Sequence, residues 1–211
     1  MNYRRALVLA PHTDDAELGC GGTIARLLEA GAEVHAMVFS TCSDSLPEGQ
    51  PEDTLQQEFF AAADTLGLDR DRLYVYDYTV RRLSYSRQEV LEEMVRVRRQ
   101  VEPDLVLLPS GHDLHQDHQV VHTEGLRAFK DVTVLGYELP WNHISFDATA
   151  FVTLEEHHLD AKWAALQAYK SQFELKRPYF SRSFIEGLAR VRGTQVKVEI
   201  AEAFEVMRIK L

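Results

Sequence analysis

Two patterns of apolar positions alternate along this chain: short runs rich in Val, Leu and Ala, and longer stretches with helical spacing. "RALVLA" reads as a fully buried strand, and "ELGCGGTIARLLEAG" after it as a helix that ends at Gly31 as a C-cap. "EVHAMVFS" is the next predicted strand, and "TLQQEFFAAADTLG" is a helix closed by Gly67. "RLYVYD" predicts a third strand, "SRQEVLEEMVRVRRQV" a helix opened by Ser86 and stopped before Pro103, and "DLVLLP" a fourth strand. A helix through "HQVVHTEGLRAFK" and a strand "VTVLGYE" follow. The last third is less regular, with a strand "FVTL", a long helix "EEHHLDAKWAALQAYKSQ", a short helix "RSFIEGLARVRG" and a terminal strand "EAFEVMRIK".

Strand, helix, strand at this spacing forms parallel βαβ units. The expected fold is α/β: a Rossmann-like three-layer sandwich with a mostly parallel central sheet, in a single domain over residues 1–211. The polar stretch 41–53, "TCSDSLPEGQPED", is expected to be a mobile loop near the site.

Composition narrows the class. With 45% hydrophobic and 27% charged residues the chain is an ordinary globular protein. A net charge of −10 argues against a general affinity for nucleic acid, whose backbone is bound through Lys and Arg. Cys20 and Cys42 have neither a CxxC spacing nor the density of a disulfide scaffold, so both are expected to be reduced thiols. The opening "MNYRRALVLAPHTDD" does not read as a signal peptide, and no segment approaches the roughly 20 apolar residues of a membrane span. No membrane insertion is expected, and the cytoplasm is the expected location.

The chemistry concentrates at two strand ends. In doubly wound α/β folds, ligands collect in the crevice beyond the C-terminal ends of the strands. His12 stands just after "LVLA" and His115 just after "LVLLP", so residues a hundred positions apart can share one site. His12 and Asp15 offer an imidazole nitrogen and a carboxylate oxygen, a pair that suits zinc or another borderline divalent ion. "GHDLHQDHQVVH" holds His112, His115, His118 and His122 and can supply a third ligand. Three protein ligands leave an open position for water, which separates catalytic from structural zinc.

Blander readings compete with this one. A lone histidine after a strand is more often a surface or satisfied core residue, and Asp-Asp before a helix is often only a charge favoured by the helix dipole. Gly19, Gly21 and Gly22 after a strand suggest a phosphate-binding turn, but the fingerprint places its glycines in the turn itself, and here the turn is "PHTDDAEL". Two aspartates there would also repel a pyrophosphate.

"APHTDDAELGCGGT" together with "HQDH" resembles the PIG-L/LmbE-like superfamily of metal-dependent N-deacetylases, and the likeness extends through "LGYELPW", "AYKSQ" and "AEAFEV". The resemblance implies that His12, Asp15 and His118 bind the metal, zinc with iron(II) or another divalent ion as the alternative. It further implies that Asp14 is the general base, that His115 acts as general acid or stabilises the developing oxyanion, and that Asp117 orients a histidine. A protonated His115 paired with Asp14 would give a bell-shaped rate profile. The implied substrate is a small N-acetylated amino sugar or sugar conjugate, cleaved to acetate and a free amine. A metal-dependent phosphoesterase and a non-catalytic sugar-binding protein are the competing classes.

Two departures from the family pattern concern this chain. Thr13 replaces a common proline, and Leu55, three residues before Glu58, stands where many relatives carry an arginine. Residues 170–193 hold six Lys/Arg against two Glu, which suits either a phosphate-bearing substrate or a solvated helix face; the same two readings apply to Arg81, Arg82 and Arg87, and Arg192 lies within the basic stretch. Glu17 is placed near the metal or serves as a first-turn helix charge. Trp141 suits either the sugar pocket or the interface of a homo-oligomer.

Overall fold

The computed structural model describes residues 3–46 and 49–210. Seven strands form one sheet: β1 (Arg5–His12), β2 (Glu33–Ser40), β3 (Leu73–Val75), β4 (Leu105–Pro109), β5 (Thr133–Tyr137), β6 (Ala150–Leu154) and β7 (Ile200–Arg208). Their spatial order is β3-β2-β1-β4-β5-β7-β6. The first five pair in parallel, and β7 runs antiparallel to both β5 and β6. The α/β, mostly parallel architecture expected from the alternation is therefore the one observed.

β1 explains why its sequence is apolar without alternation. Ala6, Val8 and Ala10 pack into the core on one face of the sheet, and Leu7 and Leu9 into the core on the other. A strand buried on both faces reads as a continuous apolar run. On the first face lie α1 (Asp15–Glu29), α2 (Thr54–Leu66) and α5 (Glu156–Leu166); on the second lie α3 (Arg87–Val101) and α4 (Gln116–Ala128).

The chain leaves β1 toward β2 and β3 and then returns to place β4 on the opposite side of β1. This reversal makes the crevice at the ends of β1 and β4 the topological switch point, where ligands bind in open α/β sheets. Both histidine-bearing stretches open there.

Two local expectations are corrected. The long C-terminal helix breaks after Leu166 and resumes as α6 (Lys170–Glu174), before α7 (Arg182–Gln195). Tyr169, at the break, is buried and donates its hydroxyl to the Thr13 carbonyl, and Ser171 binds the Glu58 carboxylate through both its N–H and its hydroxyl. These long-range bonds, rather than any Gly or Pro, turn the chain. The third strand is only three residues long. Ser86 opens α3 at its N-cap as expected, without a side-chain capping bond.

Part of the expected loop 41–53, Pro47 and Glu48, lies outside the described residues. Next to it, Cys42 and Ser45 border the crevice, with Cys42 in a left-handed conformation at φ 56°.

The three glycines of α1 have a packing role instead of a phosphate-binding one. A Cβ on Gly19 would lie 2.3 Å from a ring carbon of Tyr137, and one on Gly22 would lie 2.5 Å from Leu154. The Gly22 and Thr23 N–H groups donate to Glu202, which also accepts from Lys162 at 2.7 Å, so a buried ion pair seats the helix against β7.

Candidate active site

Three ligand atoms converge at the switch point. His12 Nδ1 lies 3.2 Å from Asp15 Oδ2, His118 Nε2 lies 3.3 Å from the same oxygen, and the two imidazole nitrogens are 3.2 Å apart. A tetrahedral zinc with ligands at about 2.0–2.1 Å requires its ligand atoms to be roughly 3.3–3.4 Å from each other. The observed triangle, with sides of 3.2, 3.3 and 3.2 Å, lies close to that requirement and offers two imidazoles and one carboxylate. Asp15 owes its place to the turn after β1, where the His12 N–H donates to Asp15 Oδ2 at 2.9 Å.

Each histidine is held from behind by a carboxylate. Asp117 Oδ2 is 3.1 Å from His12 Nε2, and Asp113 Oδ2 is 2.7 Å from His118 Nδ1. Asp117 is itself fixed by the N–H groups of Arg81 and Leu83. Such partners set which ring nitrogen faces a metal and hold the ring's orientation. Asp113 is the member that sequence reasoning missed; a carboxylate five positions before His118, inside the same polar motif, was the available signal.

The electrostatics reflect four carboxylates gathered around three histidines. Burial opposes a charge on His118, but Asp15 and Asp113 outweigh it and push its pKa up to about 10. Burial likewise opposes a charge on His12, and Asp15 and Asp117 reverse that effect. Asp15 is buried too, yet the two imidazoles hold its carboxyl well below the usual range. A divalent cation bound here would answer the charge of the same carboxylates.

Asp14 and His115 flank the triangle and border the same cavity. Burial and the neighbouring Asp15 raise the Asp14 carboxyl to about 6. His115 stands at the N-cap of α4, where its Nδ1 accepts the Asp117 N–H at 3.2 Å. Burial, with His118 and His12 beside it, lowers its pKa to about 4. At neutral pH His115 is therefore uncharged, with its proton on Nε2, which differs from the protonated residue expected from sequence.

Other candidates lie elsewhere. His122 donates from Nδ1 to the Pro109 carbonyl at 2.8 Å, and His112 is engaged by Glu205. Glu17 is buried beside the site, and burial raises its carboxyl to about 8. Cys20 sits at a kink in α1; it and Cys42 are buried free thiols. Ligand atoms of His12, His115 and His118 also lie within 4.8 Å of one another, as do those of Glu29, His157 and His158. There His158 Nδ1 accepts the Glu155 N–H, so its Nε2 carries the proton and donates to Glu29 at 2.7 Å; the arrangement is a helix cap.

The cavity encloses about 330 Å³. Trp141 and Tyr179 stack in its wall with ring centroids 3.7 Å apart and planes 10° apart. Leu55 borders it as well, as do Arg81 and Arg177.

Fold and site together define an α/β protein with imidazole and carboxylate groups gathered at its switch point, a donor set that could hold a divalent cation. The sequence profile of the PIG-L family, described as GlcNAc-PI de-N-acetylase, matches residues 7–129, and the chain belongs to that family. It is 27% identical over 175 residues to the uncharacterized deacetylase YaiS of Escherichia coli K12, covering 78% of this chain and 90% of that protein. It is 30% identical over 135 residues to diacetylchitobiose deacetylase of Thermococcus kodakarensis, covering 60% of this chain and 49% of that enzyme. Among solved structures, N,N'-diacetylchitobiose deacetylase of Pyrococcus horikoshii superposes with a TM-score of 0.81 at 21% identity, over 98% of this chain and 84% of that one. GalB of Pseudomonas putida KT2440, a 4-carboxy-2-hydroxymuconate hydratase, superposes with a TM-score of 0.78 at 21% identity, over 99% and 98%. A fold shared by a deacetylase and a hydratase leaves the reaction to be argued from the site.

Among the described residues no helix is long and apolar enough to cross a membrane.

Proposed function

We propose that this chain is a zinc-dependent N-deacetylase that hydrolyses the acetamide of an N-acetylated amino sugar or sugar conjugate to acetate and a free amine. The observation that carries this reading is the triangle of His12 Nδ1, Asp15 Oδ2 and His118 Nε2 with Asp14 and His115 on its flanks. When bound, a divalent ion, zinc or in competition iron(II), supplies Lewis-acid polarisation of the amide carbonyl and acidifies water.

The chain's own residues supply the proton handling. Asp14, raised toward 6, is ionised at neutral pH yet basic enough to take a proton from attacking water. As the carbon–nitrogen bond breaks, the same carboxyl delivers that proton to the leaving nitrogen, so the proton count balances. Neutral His115 donates from Nε2 toward the developing oxyanion, the second of the two roles expected for it. Asp117 and Asp113 act through the histidines they position. The stacked Trp141 and Tyr179 offer an apolar wall against which a sugar ring can lie. The two free cysteines suit a reducing cytoplasm.

The test is acetate release from a panel of N-acetylated sugars by zinc-reconstituted protein, with Asp14→Asn as control. Release that vanishes in the variant supports the reading. Phosphate release from phosphate esters without acetate from any amide, by protein that binds one zinc per chain, overturns it.

A further inference from the structure

Many arginines of this chain are engaged by carboxylates, but two that border the cavity are not. Arg87 pairs with Glu124, Arg192 makes two hydrogen bonds to Glu138, Arg182 meets Asp160 and Glu186, and Arg190 meets Glu156 and Glu199. Arg87 and the basic stretch near residue 190 are thus mostly spent on structure. Arg81 and Arg177 are not. Both border the cavity that holds Asp14 and His115, and neither has a carboxylate partner among the described residues. The side chain of Arg177 bonds only the Tyr179 hydroxyl, at 2.8 Å.

Resting on the deacetylase reading, we propose that the substrate carries an anionic substituent, a phosphate or a carboxylate, and that Arg81 and Arg177 receive it at the mouth of the cavity. Guanidinium groups bind either anion through paired N–H donors. A chain of net charge −10 repels anions at a distance, so a local pair of unspent cations is what would admit one.

The backbone supports the placement of both residues. Arg81 is held at φ 65°, in the left-handed region that L residues adopt at a cost, while its N–H is fixed on Asp117. The same carboxylate that positions His12 therefore positions Arg81. Arg177 follows the break after Leu166, and that segment is tied to the site by the Tyr169 bond to Thr13 and the Ser171 bonds to Glu58. Its charge also reaches Asp14, favouring the ionised base.

The experiment compares matched N-acetyl amino sugars on the zinc-loaded protein: neutral, phosphorylated, carboxylated, and the carboxylate's uncharged methyl ester. Acetate release gives kcat and KM, and calorimetry gives binding without turnover. Arg81→Asn keeps a residue tolerant of positive φ, and Arg177→Gln keeps a polar side chain. The expected result is that kcat/KM favours a charged sugar over its neutral counterpart by about 10–100-fold, carried by KM, weakened by salt, and collapsing toward unity in the double variant. Preference between the phosphate and the carboxylate names the anion. Equal turnover of neutral and charged sugars, unaffected by the two substitutions, overturns this proposal and leaves the deacetylase intact. If nothing releases acetate, the deacetylase reading falls, and calorimetry alone decides the anion site: arginine-dependent binding of the charged sugars sustains it, and its absence removes it.

Discussion

Asp113 Oδ2 lies 2.7 Å from His118 Nδ1, with both side chains almost wholly withdrawn from solvent. The contact fixes the imidazole so that Nε2 faces Asp15 and His12. It divides the supporting work between two carboxylates, Asp117 behind His12 and Asp113 behind His118.

Removal of Asp113 should therefore cost metal affinity before it costs chemistry. Asp113→Asn is expected to weaken zinc binding by about 10–100-fold, with the far-ultraviolet circular dichroism unchanged. Competition against a chromophoric chelator measures it, and wild-type affinity in the variant would reject the positioning role.

Asp14 sets the acid side of the activity profile. A base must be ionised, so kcat/KM is expected to rise with pH through about 6 and then stay level near neutrality, since His115, lowered to about 4, is already uncharged there. This replaces the bell expected from a protonated histidine. Asp14→Asn should reduce kcat by about 10²–10⁴-fold while the protein still binds its metal.

Glu17 ties stability to pH in the metal-free protein. Its carboxyl is raised from 4.5 to about 8 by burial, so the folded state holds a proton that the unfolded state releases. The folded state's advantage is complete below about 4.5 and is lost as pH rises toward about 8. Thermal melts from pH 5 to 8 should show a falling midpoint, flattened by Glu17→Gln. A wild-type slope in the variant would exclude Glu17 as the source.

Gly19 is constrained by Tyr137, which is fully buried and donates its hydroxyl to the Leu9 carbonyl. Gly19→Ala would place a methyl 2.3 Å from the ring, so one of the two elements must shift. Overpacking of this kind is expected to cost about 1–3 kcal/mol, read as a lower urea midpoint.

Lys162 and Glu202 form an ion pair in which both side chains are buried. Lys162→Ala leaves the carboxylate with only the Gly22 and Thr23 N–H groups and should destabilise the fold by about 3 kcal/mol. Lys162→Ala/Glu202→Ala should cost less than the sum of the two single changes, because the second substitution removes the stranded charge.

Much of this protein was legible in its order of residues. A strand buried on both faces must be apolar throughout, and a helix must repeat near 3.6 residues, so the alternating elements and their parallel arrangement follow from local pattern. The side chains at the ends of β1 and β4 were visible for the same reason: His12, Asp14 and Asp15, and His115, Asp117 and His118, interrupt apolar runs with ligand and acid-base chemistry. Their spacing does not reveal which carboxylate faces which ring nitrogen. That pairing depends on how the side chains meet in the folded site, and only the packed chain assigns Asp117 to His12 and Asp113 to His118.

The tertiary structure alone decided the rest. It placed β4 beside β1, broke the C-terminal helix so that Tyr169 could reach Thr13, and turned the α1 glycines toward Tyr137 and Leu154. It also separated Arg81 and Arg177 from the arginines committed to surface pairs. Local sequence sets each segment's periodicity and reactive groups, because these depend on neighbours along the chain. Which groups share a cavity depends on contacts between residues a hundred positions apart, and those exist only once the sheet has closed around them.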